Sequence, residues 1–243
     1  MAQMSVRLMT VAQNVPRGLS VADIGSDHGM LPIFLVESGI ASRCVAVEVS
    51  PGPFHVCSRA LSASPRRARL EVRLGDGLSP ISPGEVDVVC VSGMGGGTIA
   101  GILSRGEEQL KGVQRLVLQP NGGDGLLRRH LYNSGWELVA EFALEEKGRF
   151  YAVVVAEPGA PTNNYRDSPL TLEVMMEAGP FLIRDPSPAH RRRWLEELAH
   201  LERIASNLRQ HASARNLEKL AEVLEAITSA NAVLELLSGA QAP

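Results

Sequence analysis

Lysine is nearly missing from this chain. Of its 24 basic residues only Lys111, Lys147 and Lys219 are lysines; the other 21 are arginines. Arginine's planar fork suits bidentate contact with phosphate, but the codon bias of a GC-rich genome yields the same usage with no function attached. With 27 acids against those 24 bases the formal net charge is −3, which excludes a bulk binder of polyanions. Aromatics make up 4% of the residues, so platforms for stacking nucleic-acid bases are few. Cys44, Cys57 and Cys90 are odd in number and scattered through apolar surroundings. They form neither a disulfide framework nor a metal-ligand spacing, and they read as buried free thiols of a reducing compartment. No apolar run approaches the roughly 20 residues of a membrane span. The opening residues 1–7 contain no apolar signal-peptide core. The expectation is a soluble cytoplasmic protein that holds no metal and meets no membrane.

What is present is an alternation. Short apolar runs at 20–24, 44–49, 70–74, 86–91 and 115–118 read as parallel strands buried on both faces. Helix-compatible stretches at 29–37, 53–62, 98–104 and 125–133 lie between them. Repeated strand–helix units predict an α/β, doubly wound sheet. Two alternating apolar runs follow at 136–145 and 149–157, separated only by Glu146-Lys-Gly148, which predicts a β-hairpin. Residues 159–190 are rich in Pro, Asn, Asp and Ser and read as a linker or cap with one short helix near 170–178. From Pro188 the period becomes helical. Trp194, Leu198, Leu201, Ala205 and Leu208 make one heptad seam, and Leu217, Leu220, Leu224, Ile227, Asn231 and Leu234 make another. Two such helices of about 20 residues, each roughly 30 Å long, predict a protruding coiled-coil-type hairpin, although helices packed onto the main domain would give the same signal. The division expected is a cofactor-binding domain over 1–158 and a linker plus helical hairpin over 159–243.

Five motifs fall at the carboxyl ends of successive predicted strands, the edge at which open α/β sheets bind ligands. Val21-Ala-Asp-Ile-Gly-Ser-Asp-His-Gly29 is a strand running into a glycine turn. Gly25 lets backbone approach a ligand, and Asp23 and Asp27 can accept from amino or hydroxyl groups; equally, the segment is a tight turn with Asp27 as a helix cap. Glu48 ends the next strand, where a carboxylate takes the hydroxyls of an adenosine ribose, or is a solvated rim residue. Gly75-Asp76-Gly77 offers an acid to an adenine amine, or is an ordinary turn. Gly93-Met94-Gly-Gly-Gly97 brings backbone close to a reacting centre, with Met94 as an apolar lid or base contact; three glycines in a row cost too much backbone entropy to be a mere linker. Gln119-Pro-Asn121 places two amides beyond the fifth strand, able to read the polar edges of a base. The first turn reads Gly25-Ser-Asp-His-Gly-Met30 rather than Gly-x-Gly-x-x-Gly, which counts against a nicotinamide oxidoreductase, as does the terminal hairpin.

With these motifs in place the chain resembles the bacterial tRNA (adenine-N1)-methyltransferases that modify adenine-22. The resemblance rests on Ala22-Asp-Ile-Gly-Ser-Asp-His28, Gly52-Pro-Phe54, Gly75-Asp-Gly77, Gly93-Met-Gly-Gly96, Leu118-Gln-Pro-Asn121, Ser5-Val-Arg-Leu8 and Gly179-Pro-Phe181. It implies a seven-stranded Rossmann-like class I methyltransferase sheet whose last strand inserts antiparallel, S-adenosyl-L-methionine as methyl donor, tRNA as substrate, and a helical C-terminal hairpin. By analogy Asp27 and His28 lie by the methionine end, Glu48 on the ribose, and Asp76 with Gly77 on the adenine. Asp23, Gly25 and Gly93 complete the cofactor-binding set, and Asp27, His28, Met94, Gln119 and Asn121 are the candidate catalytic residues. His28 is either a proton carrier or a structural hydrogen-bonding group. Arg7, Arg17, Arg66, Arg67, Arg191, Arg192 and Arg193 are candidate phosphate contacts, or solvated surface. The chain departs from the family in Met30, His130 and Ala152, which stand where an aromatic, a tryptophan and a glutamate are usual. A monomer or weak dimer is expected. The competing readings are a methyltransferase for a small molecule or protein, and a non-catalytic RNA-binding protein on the same fold.

Overall fold

The computed structural model describes residues 4–166, 168–211 and 214–239. Seven strands form one sheet: β1 (Ser20–Ile24), β2 (Arg43–Glu48), β3 (Leu70–Leu74), β4 (Val88–Met94), β5 (Arg115–Pro120), β6 (Trp136–Glu146) and β7 (Arg149–Pro158). Their order is β3-β2-β1-β4-β5-β7-β6. The first five are parallel, and β7 enters antiparallel between β5 and β6, as the resemblance implies. Four crossover helices link the parallel strands and the hairpin: α2 (Met30–Glu37), α3 (Pro51–Ala63), α4 (Gly96–Arg105) and α5 (Asp124–Asn133). Predicted and observed ends differ by a residue or three, as cap residues blur helix limits.

The two-residue period of the strands sorts the core onto two faces. Ala22, Ile24, Val45, Val47, Val89, Val91, Leu116 and Leu118 pack on one side with α4 and α5. Val21, Cys44, Val88, Cys90 and Val117 pack on the other with α2 and α1 (Val6–Gln13). All three cysteines are buried and unpaired. The hairpin turns on Lys147 and Gly148 alone, both at positive φ (53° and 71°), the two-residue type that matches strand twist.

The pattern alone does not announce α1, whose eight residues span little more than two turns, too few to display a helical period. Ser5 caps it by accepting from the Leu8 amide. The Pro-rich stretch holds more than one short helix: a 3₁₀ turn (Pro161–Tyr165), α6 (Leu172–Ala178) and α7 (Pro180–Arg184). These pack on the sheet domain. The Asn164 amide donates to the Leu138 carbonyl at 2.6 Å. Arg128 and Glu141 form a completely buried ion pair, Nε to Oε1 at 2.6 Å. Arg128 also donates to the Met176 and Glu177 carbonyls, and Glu141 accepts from the Phe181 amide. The pair therefore ties α5 and β6 to α6 and α7.

The tail is a pair of helices, α8 (Pro188–Gln210) and α9 (Ala214–Gly239). Ser187 caps α8 and Pro188 occupies its first turn, where proline's missing N–H costs nothing. The α8 seam holds, with Trp194 and Ala205 buried. The α9 seam is displaced from the predicted one. Val223, Ala230, Val233 and Leu237 are buried, while Leu217, Leu224 and Asn231 face outward. Leucines surround α9, so their spacing does not select a face; Ala230 permits the close approach that does. Near its base the pair packs on α6 and α7 through Val174, Ala178 and Ile183. Among the described residues, no helix is long and apolar enough to cross a membrane.

Arg128→Met strands the Glu141 charge in the core and is expected to cost about 3–5 kcal/mol. Adding Glu141→Leu recovers much of that loss. Urea unfolding of the two variants checks the pair.

Candidate active site

The strand register brings the five motifs to one edge. Ile24 pairs with Val47 and Val91, Glu48 with Leu74, and Met94 with Pro120. A cavity of about 240 Å³ opens there, lined on one side by Asp23, Gly25, Asp27 and His28 and on the other by Ser92, Gly93 and Gln119. Ser5, Arg7 and Leu8 of α1 close it. The sequence reading took Arg7 for an outer phosphate contact and had no element to place over the site.

At Gly25 a side chain would be strained by the residue's backbone and would displace Met94. Its φ is +75°, and a Cβ there would come 2.2 Å from the Met94 methyl. Met94 thus lies against the turn, half-buried. In the glycine run, Gly96 is fixed by packing: its Cβ would lie 2.1 Å from the Gly123 carbonyl oxygen, and its amide donates to Gly122 at 2.7 Å. This clamps the β4 and β5 loops together. The clamp is reinforced by the Asn121 amide, which donates to the Met94 carbonyl at 2.7 Å.

Asp23 is buried, and burial, with the nearby Glu48 carboxylate adding to it, pushes its pKa up to about 7. Glu48 is also buried, not a solvated rim residue. Its carboxylate accepts from the Asp27 backbone amide and so pins the first turn. Burial raises its pKa, and that bond opposes the rise. Asp27 sits at φ 57°, within the turn rather than at a helix cap, a place held by Gly29. Its carboxylate and His28 are both mostly exposed and 3.6 Å apart at the cavity mouth. Asp76 is exposed and faces Arg105 at 3.3 Å. It and Gly77 sit at the same edge but outside the cavity lining. Gln119 is buried and Asn121 exposed.

The remaining arginines separate. Arg17 precedes β1, and Arg66 and Arg67 precede β3, so the parallel topology sets all three on the edge opposite the cavity. Arg192 pairs with Glu145, and Arg193 pairs with the buried Asp124 at the start of α5 at 2.5 Å. Among the described residues no group of three or more His, Cys, Asp or Glu could hold a metal.

These features suit an adenosyl cofactor. The Gly25 turn at positive φ presents backbone to the cavity, Glu48 supplies a buried carboxylate for a diol, and the buried Ser92 hydroxyl has no protein partner. A seven-stranded sheet with an antiparallel β7 and such a site defines a class I methyltransferase. Residues 21–231 match the family model of the tRNA (adenine(22)-N(1))-methyltransferases, and the chain belongs to that family. It is 39% identical over 224 residues to the tRNA (adenine(22)-N(1))-methyltransferase of Bacillus subtilis, covering 92% of this chain and 93% of that one. The crystal structure of the B. subtilis enzyme superposes with a TM-score of 0.91, at 37% identity, over 96% of this chain and 100% of that one. A Streptococcus pneumoniae relative solved in complex with S-adenosyl-L-methionine gives 0.83 at 35% identity, over 96% and 100%.

Asp23 links stability to pH. Unfolded, it loses its proton near pH 3.8; folded, it keeps it to about pH 7. The stability due to that proton is full below about pH 4 and is lost as pH rises to about 7, at up to about 1.4 kcal/mol per pH unit. Asp23→Asn is expected to flatten this decline in urea-unfolding curves of the ligand-free protein taken from pH 4 to 8. An unchanged decline would place the proton elsewhere.

Proposed function

We propose that this chain transfers a methyl group from S-adenosyl-L-methionine to N1 of adenine 22 in tRNA. The observation that carries the reading is the convergence of Asp23, Glu48 and Asp76 on three neighbouring strand ends beside the Gly25 turn, in a member of this family. Glu48 takes the ribose hydroxyls, Asp76 with Gly77 the adenine, and Asp27 and His28 lie by the methionine end, with Asp23, Gly25 and Gly93 lining the pocket. Bound adenosylmethionine supplies an electrophilic methyl group. N1 of neutral adenine has a free lone pair, so the protein need not remove a proton before attack. The contribution of Met94, Gln119 and Asn121 is to orient the base and exclude water. The methylated base is a cation, and the Asp27 carboxylate at the cavity mouth stabilises it.

The tRNA contacts lie on the tail side. A groove of about 590 Å³ between the β6–β7 hairpin and α8 is lined by Phe150, Arg193, His200 and Arg203, with Glu196 and Glu197 on the same wall. Arg191 and Arg192 stand at its base. This mixture of cations and an aromatic suits a folded RNA recognised largely by shape. The working unit is a cytoplasmic monomer or weak dimer, with a cofactor domain over 1–158 and an RNA-facing unit over 159–243.

Incubation with adenosylmethionine and unmodified tRNA, followed by mapping of the methylated nucleotide, is expected to show N1-methyladenine at position 22. Transfer to a small molecule or protein with none to RNA would sink the reading. Asp27→Ala and Asp76→Ala are each expected to weaken adenosylmethionine binding several-fold by calorimetry, as loss of a hydrogen bond from an exposed partner does. Unchanged affinity in both would overturn the site assignment.

A further inference from the structure

Arg7 is held from three directions. Its Nε donates to Glu146 Oε2 at 2.9 Å, its guanidinium lies 4.4 Å over the Tyr151 ring, and its Nη1 donates to both Gln119 Oε1 and Asn121 Oδ1 at 3.1 Å. Glu146 is itself fixed, because its other oxygen accepts the Val6 amide at the start of α1. Of the two amides that Arg7 contacts, Gln119 stands near the end of β5 and lines the cavity, and Asn121 follows the strand directly.

Their hydrogen bonds form a closed network. Gln119 Oε1 also accepts from the Gly93 amide at 3.2 Å, and Gln119 Nε2 donates to the Pro120 carbonyl at 2.7 Å and to Asn121 Oδ1 at 3.3 Å. Asn121 Nδ2 donates to the Gly93 carbonyl at 2.7 Å. Each amide oxygen therefore meets two donors, one of which is Arg7. Turning either amide over would set its NH2 against donors, so the orientation is fixed. The network uses every polar atom of Gln119, which cannot then read a base directly. It leaves one N–H of Asn121 uncommitted, on an exposed residue two places past the cavity-lining Gln119.

We infer that Arg7 is a positioning residue for methyl transfer: it locks the Gln119 and Asn121 amides so that the free Asn121 N–H is aimed at an acceptor nitrogen of the target base. Three of its five N–H donors are spent on Glu146, Gln119 and Asn121, and a phosphate contact, the sequence expectation, would fall to the two donors of Nη2. The inference rests on the proposed transfer to tRNA adenine. If the parent enzyme fails to methylate tRNA, that reading fails; if the parent is active, the variants below test Arg7 alone.

Arg7→Met is expected to lower kcat for tRNA by about 10- to 100-fold, the scale of a slight misplacement of reacting groups. Adenosylmethionine affinity by calorimetry and the salt dependence of KM should stay as in the parent. In a Gln119→Leu/Asn121→Ala background the same substitution should cost less than about threefold, because the groups it acts through are gone. Arg7→Lys should restore part of kcat, since a lysine reaches one amide oxygen but not both together with Glu146. Glu146→Gln, which loosens the anchor but keeps Arg7, should lower kcat in the same direction by less. It supplies the test if Arg7→Met does not fold. A full loss persisting in the double background, or a raised KM with a shallower salt slope and unchanged kcat, would overturn the inference; the latter pattern marks a phosphate contact.

Discussion

The buried Arg128–Glu141 pair is the joint on which the architecture turns. Two charges enter a low-dielectric interior only when most of their hydrogen-bonding capacity is met, since desolvation of each ion costs several kcal/mol, and of the Arg128 nitrogens Nη2 alone has no partner. Here the partners come from α5, β6, α6 and α7 at once: a carboxylate, two carbonyls and a backbone amide. None of these elements can leave without stranding a charge. The Pro-rich segment after the sheet is consequently a structural cap, and the tail helices are seated on that cap. Beside it Arg193 reaches from α8 to Asp124, and His190, held neutral by burial with a pKa pushed down to about 3, fills the remaining space without adding charge.

From that joint the order passes to the catalytic edge. Asp124 opens α5 directly after Gly122 and Gly123, the backbone that meets Gly96. The loops after β4 and β5 are locked to each other by backbone contact, and to α1 through Gln119 and Asn121. On the other side, Glu48 locks the loop after β1 to the end of β2. The site is thus two rigid halves facing across the cavity, with few rotamers left to order when a ligand arrives. That is the condition under which positioning alone supplies a large share of a rate.

Much of this was legible in the sequence, for a physical reason. Parallel strands buried on both faces write themselves as apolar runs, and ligand contacts collect at their carboxyl ends, so the sequence alone sets Gly25, Glu48, Asp76, Gly93 and Asn121 on one edge. Contacts between distant segments were not legible. Nothing local to Arg7 says that it meets residues 119, 121 and 146. Nothing local to Glu48 says that its carboxylate binds the Asp27 amide. The face of α9 was misread because leucines on several sides give a periodic signal in more than one register. Arg17, Arg66 and Arg67 looked like a binding surface by composition alone; the direction of the strands they precede sets them on the far edge.

The Arg7–Glu146 contact spans 139 residues, almost the whole sheet domain, and it exists only once β7 has slotted between β5 and β6. Contacts of such sequence separation carry a high loop-closure cost. Nascent or truncated chains ending before the hairpin have the strand-end carboxylates but no enclosure around them. Enclosure of the cavity in this molecule is a product of its long-range fold, not of any local segment.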